Sequence, residues 1–304
     1  MTLVVAAIGR ESIWLCADRR LSIRQKAVSD DAVKILRVDR GDDVALLGYS
    51  GLGKTPKGKQ PSEWMNNVLR GRNEPLERSL EILGGAISRQ ILKYLLHVPG
   101  MGNAAHVVLA PAFVAEKPIL YTVKLDIINA KKKLYRISNE RHETVGPPRR
   151  YTRIGIAGSG TPFIVTQRPK LIALLRLISK HEKGKITAFA VAREFAKINL
   201  EVAGKDNSVG PDCVVAWSYR RNGPLKLTPN FMGFKGLATA TGHLSLPTNS
   251  NGTDMTAFMA VLFPSMMERM ANLRAGKDGN LSEADQAAIT EALNKLPTRP
   301  SEHL

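Results

Sequence analysis

The chain has 304 residues, which is enough for one large domain or two ordinary ones. Apolar residues make up 43% of it, and 44 Lys/Arg against 27 Asp/Glu give a formal net charge of +17. This composition argues against wholesale disorder. Two cysteines cannot build a disulfide framework, and no apolar run reaches the roughly 18 residues of a membrane span. We therefore expect a soluble, cytoplasmic protein without a membrane partner.

The positive charge is unevenly distributed. Residues 235–304 hold six Lys/Arg and seven Asp/Glu, a net charge of −1, so the first 234 residues carry +18. The densest basic stretch is 131–153, which indicates either a solvated hairpin or a surface for an anionic partner. Proteins that recognise a nucleic-acid sequence usually have a recognition helix as well as basic residues, and no such helix is predicted here. Charge alone therefore does not indicate a nucleic-acid partner.

Apolar patterning predicts strands and helices in alternating groups. Leucines and isoleucines at a spacing of three and four predict a helix over 76–96, and Ser62 is the predicted N-cap of the helix before it. Two further helices are predicted around 171–178 and 189–198. Helix pairs separated by groups of strands indicate an α+β protein with helices outside its sheets. The predicted strands are 2–9, 12–18, 32–38, 43–51, 106–114, 118–128, 132–138, 151–158 and 212–219, the last paired with the segment that follows Gly223.

The C-terminal part differs from the rest of the chain. Residues 231–255 are rich in Gly, Thr, Asn and Ser and are interpreted as a linker or long loop. A Met-rich helix is predicted over 256–273, and Ser282 with Asp285 resembles a capping box that opens a final helix. We therefore divide the chain into a domain over 1–230 and a linker plus helical hairpin extension over 231–304, a hairpin for docking or assembly.

One motif suggests nucleotide binding. The segment from Gly48 to Thr55 matches the P-loop pattern G-x-x-x-x-G-K-T, and an apolar strand precedes it. A P-loop needs a helix that starts within the loop, and Pro56 and Pro61 argue against such a helix. A P-loop nucleotide-binding protein is kept as an alternative.

The N-terminus suggests different chemistry. If Met1 is removed, Thr2 carries a free α-amine, which can act as general base for its own hydroxyl. Asp18 ends the second predicted strand and Lys34 lies in the third. A buried lysine would lower the pKa of the amine and the hydroxyl, and an aspartate would keep that lysine charged. Gly48 could present a backbone N–H to a developing oxyanion.

Thr2, Asp18, Lys34 and Gly48, separated by 16, 16 and 14 residues, resemble the nucleophile, aspartate, lysine and oxyanion glycine of proteasome β-type subunits and their bacterial relatives. This is the N-terminal-nucleophile (Ntn) hydrolase family. The segment ADRRLS and the turn GSGTPF are also similar to family motifs, over roughly residues 2–230. The resemblance implies a four-layer αββα sandwich and a threonine-type endopeptidase.

The resemblance also implies support for the nucleophile's amine. Ser159 would match the family's supporting serine, and Asp206 the aspartate of its D-x-x-S-G motif. Here the motif is DNSVG, so Val209 stands at the serine position, and Ser208 could serve only if the backbone shifts.

Further expectations follow from the same resemblance. The residues expected near the substrate are Leu21, Ser22, Ala32, Leu46 and Ser50. A peptide or unfolded protein would be the substrate, and proteolysis would take place inside a homo-oligomeric ring, with room for a separate unfoldase ATPase. No cofactor is implied, and the six histidines show no metal-ligand spacing. A non-catalytic ring or scaffold protein of the same fold, binding an anionic partner, stays open as a second alternative.

Overall fold

The structure is a computed structural model, and it describes residues 2–23, 26–41, 43–51, 59–95, 106–129, 134–143, 153–221, 231–240, 245–276 and 282–301. Within these residues the chain forms an α+β fold with two large sheets, one small hairpin sheet and seven helices.

Most predicted elements are present, with shifted ends. The strands are β1 (Leu3–Ile8), β2 (Ser12–Asp18), β3 (Leu21–Ile23), β4 (Lys26–Ser29), β5 (Ile35–Arg40), β6 (Asp43–Ser50), β7 (His106–Val114), β8 (Lys117–Asn129), β9 (Leu134–Glu143), β10 (Ile154–Gly158), β11 (Cys213–Tyr219), β12 (Phe231–Lys235), β13 (Ala238–Thr239), β14 (Thr248–Ser250) and β15 (Thr253–Asp254). The helices are α1 (Pro61–Leu69), α2 (Leu76–Leu95), α3 (Thr161–Val165), α4 (Arg168–Glu182), α5 (Ala188–Ala203), α6 (Met255–Arg274) and α7 (Glu283–Asn294).

The two large sheets are built mainly from antiparallel pairs. One has the order β10-β1-β2-β11-β12-β13, and the other has the order β15-β14-β5-β6-β7-β8-β9. The parallel pair is β14 with β5, in which Thr248 lies opposite Arg37. Strands β3 and β4 form a separate hairpin.

Strand β1 shows how the core is arranged. Val4, Ala6 and Ile8 belong to an apolar cluster shared by the two large sheets. The alternate residues of β1 (Leu3, Val5 and Ala7) join a second cluster with helices α3, α4 and α5. Successive side chains of a strand point to opposite faces, so β1 is apolar throughout because both of its faces are covered.

A third apolar cluster lies on the outer face of the second sheet. There Leu47 and Tyr49 of β6 pack with Trp64 of α1 and with Leu80 and Leu83 of α2. The predicted three-and-four spacing of α2 thus corresponds to the face that it buries.

The segment 231–255, predicted as a linker or long loop, requires correction. It contains β12, which pairs with β11 so that Phe231 lies opposite Ala216, and β14, which extends the other sheet. Asn249 of β14 is fully buried, and its amide donates to Asn66 Oδ1 (2.7 Å). Backbone pairing and buried amides hold this segment despite its polar sequence. The division into two domains at residue 230 stays a prediction.

Two of the predictions concern the residues that cap helices. Helix α1 begins at Pro61 with Gln60 as its N-cap, because the hydroxyl of the expected cap, Ser62, instead donates to the carbonyl of Val33 (2.8 Å). The capping box of Ser282 and Asp285 at α7 is confirmed. Among the described residues, no helix is long and apolar enough to cross a membrane.

Candidate active site

The first three predicted site residues lie together at one end of the two sheets. Thr2 precedes β1 and Asp18 ends β2; these strands pair so that Val4 lies opposite Ala17. Lys34 comes from the other sheet, where it lies directly before β5 rather than inside a strand as predicted. All three residues are buried, with Thr2 and Lys34 each 2% exposed.

A continuous hydrogen-bond network joins these side chains. The Thr2 hydroxyl donates to Asp18 Oδ1 and accepts a hydrogen bond from the Lys34 ammonium. Lys34 Nζ also donates to Asp18 Oδ1 (2.9 Å) and to the carbonyl of Arg20 (2.6 Å). An ammonium has three N–H donors, so each donor of Lys34 has its own acceptor.

The Asp18 carboxylate is held by backbone as well as side chains. Its Oδ1 accepts from the N–H of Leu3 (2.8 Å), and its Oδ2 accepts from the N–H groups of Arg20 (3.0 Å) and Gly210 (3.2 Å). These donors replace the hydrogen bonds to water that a buried carboxylate loses.

Burial and charge act on Lys34 in opposite directions. Desolvation lowers the pKa of its ammonium, and the Asp18 carboxylate opposes that effect, with a net lowering. The positive charge of the protonated lysine, next to Oγ1, favours loss of the proton from the Thr2 hydroxyl.

A second polar chain contains two more of the predicted site residues, Ser159 and Asp206. The hydroxyls of Ser159 and Ser208 are 2.8 Å apart, and Ser208 Oγ also donates to Asp206 Oδ1 (2.6 Å). The Ser208 N–H donates to the same oxygen (2.9 Å), forming a turn closed by the side chain of Asp206. Val209, which stands at the expected serine position, is fully buried in the cluster beneath α5. Ser208, and not Val209, therefore bridges Ser159 and Asp206, and a supporting role for it stays a prediction.

The charge state of Asp206 follows from these contacts. Burial would raise its pKa, but the hydrogen bonds from Ser208 and Ser159 outweigh this, so the pKa lies below its ordinary value. Its second oxygen, Oδ2, is buried and has no hydrogen-bond partner in the described part of the chain. A buried carboxylate oxygen without a donor is an available acceptor for a cation.

Two glycines allow close approaches near the site, one against Thr2 and one against Val4. Gly158 has φ +105°, and a Cβ there would overlap the carbonyl oxygen of Thr2. A Cβ at Gly48 would lie 2.7 Å from Cγ1 of Val4, so only glycine fits where β6 crosses β1. Gly48 pairs with Ile35 and Leu109 inside the sheet. Its role as an oxyanion donor stays a prediction.

The sequence reasoning missed an ion pair that connects the two polar chains. Arg20 donates to both oxygens of Asp30 (2.7 and 2.9 Å) and to the carbonyl of Asn207 (3.1 Å). The hydrogen bond from Arg20 lowers the pKa of Asp30. The guanidinium thereby ties the turn after Asp206 to the backbone that binds Asp18 and Lys34. Nothing in the linear spacing of Arg20 and Asp30 indicates this pairing.

Asn199 was also missed, although the sequence contained a signal for it. It lies on the apolar face of α5, is fully buried, and donates to the carbonyl oxygens of Gly210 (2.9 Å) and Pro211 (3.2 Å). A polar residue on an otherwise apolar helix face is the pattern that could have revealed it.

The residues predicted near the substrate are placed as follows. Leu21, Ala32, Leu46 and Ser50 are all buried, and Leu46 belongs to the cluster between the sheets. The side chain of Ser22 lies outside what the structure describes. The substrate-binding role of these five residues stays a prediction.

Other candidate chemistry is thinner. Residues 52–58, with Lys54 and Thr55 of the P-loop pattern, lie outside the described residues, and the next described helix, α1, begins only at Pro61. Within the described residues, no group of three or more His, Cys, Asp or Glu could hold a metal ion. Cys16 and Cys213 are free and buried.

Comparison with known proteins finds similarity to solved structures. No protein-family model matches the chain, and no curated protein matches it. The chain is similar to the solved structure of Anbu (ancestral beta-subunit) from Yersinia bercovieri, with 14% identity and a TM-score of 0.42. The match covers 71% of this chain and 81% of that one. A similarity of this size does not establish a family or an activity for this chain.

Proposed function

We propose that the chain is a threonine-type endopeptidase of the N-terminal-nucleophile class, related to bacterial proteasome subunits, with Thr2 as the nucleophile once Met1 is removed. The observation that carries this proposal is the buried Thr2 hydroxyl between the Asp18 carboxylate and the Lys34 ammonium. The three apolar clusters, between the sheets and under the helices on each side, support a four-layer αββα sandwich.

In the proposed reaction, Thr2 Oγ1 attacks the carbonyl carbon of a peptide bond. Its proton passes to the α-amine of Thr2, and the Lys34 charge stabilises the alkoxide as it forms. The amine then protonates the leaving amine, and water hydrolyses the resulting ester. Asp18 keeps Lys34 charged and in place and does not itself exchange a proton.

The second polar chain would hold the α-amine. Leu3 pairs with Gly158, so Thr2 and Ser159 extend from the same end of β1 and β10. From there the chain runs through Ser208 to Asp206, whose buried Oδ2 has no donor in the described part of the chain. We expect this oxygen to accept a hydrogen bond from the ammonium form of the Thr2 amine.

Replacement of Thr2 tests the proposal directly. Thr2→Ala should lower hydrolysis of fluorogenic peptides by at least about 100-fold, because it removes the attacking oxygen, whereas Thr2→Ser should retain measurable activity. Thr290→Ala, at an exposed position of α7, is the matched control and should hydrolyse at the wild-type rate.

Two results would contradict the proposal. One is hydrolysis by Thr2→Ala at the wild-type rate. The other is a complete absence of hydrolysis in a wild-type protein shown by intact mass to begin at Thr2, which would favour the non-catalytic scaffold instead. A self-assembled ring, an unfoldase ATPase partner and a cytoplasmic location belong to the same proposal and need their own tests.

A further inference from the structure

Helix α6 carries a row of large apolar side chains on its exposed side. They are 39–57% exposed, which is unusual for side chains of this size. None of the twenty residues of α6, all of them described, is buried. The row consists of Met259, Phe263, Met266, Met270 and Leu273, and we call it the α6 seam.

The spacing of the seam is that of a coiled coil. Its members follow one another at intervals of four, three, four and three residues. This 3.5-residue repeat keeps a stripe facing one partner helix, where each side chain packs between residues of that partner. Met267, which is 49% exposed, lies beside this stripe and widens the exposed apolar face.

The neighbouring helix α7 does not occupy the seam. Its end lies at the base of the hairpin, where Leu293 and Leu296 line a cavity of about 350 Å³ together with Ala257 and Phe258 of α6. Ala257 and Phe258 are less exposed than the seam residues and belong to a different side of α6.

The residues that flank the seam allow a second copy of the chain in one orientation. Three of the five flanking positions are apolar (Ala260, Leu262 and Met267), so they extend the apolar surface that a second seam would cover. The charged flanking residues are Arg269 and Arg274. In a parallel pair, Arg269 of one helix would face Arg274 of the other, and like charges repel. An antiparallel pair separates them.

We propose that the α6 seam pairs with the α6 seam of a second copy of this chain, antiparallel and around a two-fold axis. Two-fold symmetry is the commonest arrangement of homo-oligomers, and an isologous contact needs only one self-complementary surface. Methionine suits such a surface because its flexible side chain fills irregular gaps. Pro264 lies inside α6 at a position that belongs neither to the seam nor to its flanks. The inference does not depend on peptidase activity.

Hydrogen bonds at the base of the α6–α7 hairpin would hold the paired seams in a fixed position relative to the core. Gly71 N–H donates to the carbonyl of Gly252 (2.8 Å), and Ser301 N–H donates to the carbonyl of Asn67 (2.9 Å). One end of the hairpin is therefore bonded to the loop after α1, and the other end is bonded to α1 itself. A pair of seams would hold two cores in a defined relation.

Sedimentation velocity of the full chain tests the pairing. We expect the wild-type mass to correspond to an even number of chains, and the double variant Phe263→Glu/Met270→Glu to halve it, because buried carboxylates oppose the contact. Ile172→Glu, at an exposed apolar residue of α4, is the matched control and should keep the wild-type mass. Circular dichroism checks that the variants fold. We expect them to fold because the substituted side chains of α6 are exposed.

Several results would overturn the proposal. These are a wild-type chain that is monomeric at every concentration, an unchanged mass in the double variant, and equal dissociation of the Ile172→Glu control. A monomer that sediments with lipid vesicles would also overturn it and would assign the seam to a membrane surface.

Cross-linking tests the orientation. Met259 and Leu273 lie at opposite ends of the seam, about 21 Å apart along the helix. A mixture of Met259→Cys and Leu273→Cys chains should form cross-linked dimers with a short bis-maleimide, and each variant alone should not. Cys16 and Cys213 are buried and serve as an unreactive background. Efficient cross-linking of Leu273→Cys to itself would contradict the antiparallel arrangement.

Discussion

The N-terminal strands and the C-terminal hairpin use apolar residues in opposite ways. All six residues of β1 are at most 1% exposed, whereas no residue of α6 is buried and its seam is roughly half exposed. Their ion pairs differ in the same way: the side chains of Lys34 and Asp18 are 1% and 0% exposed, and those of Lys295 and Glu291 are 73% and 69% exposed.

This difference separates what stabilises the fold from what remains available for contacts. The core buries its apolar side chains and pairs the charged groups around Thr2 with one another. The hairpin leaves the large apolar side chains of the α6 seam 39–57% exposed, which is typical of an interaction surface. Substitutions in the two regions should therefore affect different measurements.

The largest expected contrast is between the two ion pairs. Lys34→Met leaves the buried Asp18 carboxylate without its counter-charge and should lower the free energy of unfolding by about 3–5 kcal/mol. Lys295→Met should change it by less than about 0.5 kcal/mol, because the exposed pair is screened by solvent. Urea denaturation of both variants makes the comparison. Equal losses would show that the buried pair is not the distinguishing feature of the core.

Apolar truncation should separate stability from association. Leu15→Ala, between the sheets, should cost about 2–5 kcal/mol of unfolding free energy because it leaves a cavity. Phe263→Ala should cost the isolated chain less than about 0.5 kcal/mol and should instead weaken self-association. Denaturation at low protein concentration and sedimentation at high concentration measure the two effects. Weakened association in Leu15→Ala alone would reverse the assignment of the two regions.

A smaller effect should appear with pH, because the core buries histidine. His106 is fully buried, its Nδ1 lies 2.7 Å from the Tyr49 hydroxyl, and burial lowers its pKa to about 4. An unfolded histidine has a pKa near 6.5, so between about pH 6.5 and 4 only the unfolded chain binds the proton. The free energy of unfolding should therefore fall by up to about 3 kcal/mol as pH decreases through this window.

His106→Gln is the control for that pH dependence, since it removes the titrating ring. Its free energy of unfolding should fall less steeply between pH 6.5 and 4.5 than that of the wild type. The lowered pKa values of Asp30 and Asp206 also make the free energy of unfolding fall as pH decreases. Their contribution is lost only as pH falls below the ordinary pKa of an aspartate, which is lower than the window for His106. Identical slopes for wild type and variant would contradict a neutral buried His106.

Local patterns predicted much of the fold, and the resemblance to a known family predicted the first polar cluster. Thr2 and Asp18 lie at one end of adjacent apolar strands, as predicted, whereas Lys34 directly precedes a third strand and was predicted inside it. The apolar spacing of α2 and the capping box of α7 are likewise encoded within a few residues. Contacts that these local signals determine could be predicted.

Other features depend on contacts between distant parts of the chain. Strand β14 has the sequence TNS, which lacks an apolar alternation, and it forms because Asn249 finds Asn66 and the edge of β5. The contact of Ser208 with Ser159 and Asp206 depends on how Asp206 closes its turn. The strand cannot be derived from residue spacing because Asn66 lies more than a hundred residues away from Asn249 along the chain. The contact of Ser208 cannot be derived from it because that contact depends on the backbone conformation of the turn.

The central claim is that Thr2 is an N-terminal nucleophile, and intact mass spectrometry tests it most directly. The purified wild-type protein is treated with a peptide electrophile that requires both a hydroxyl and a free α-amine. The proposal predicts a mass that corresponds to loss of Met1, a single adduct located on Thr2, and no adduct in Thr2→Ala. Retention of Met1 in the whole preparation, or an equal adduct in Thr2→Ala, would contradict it.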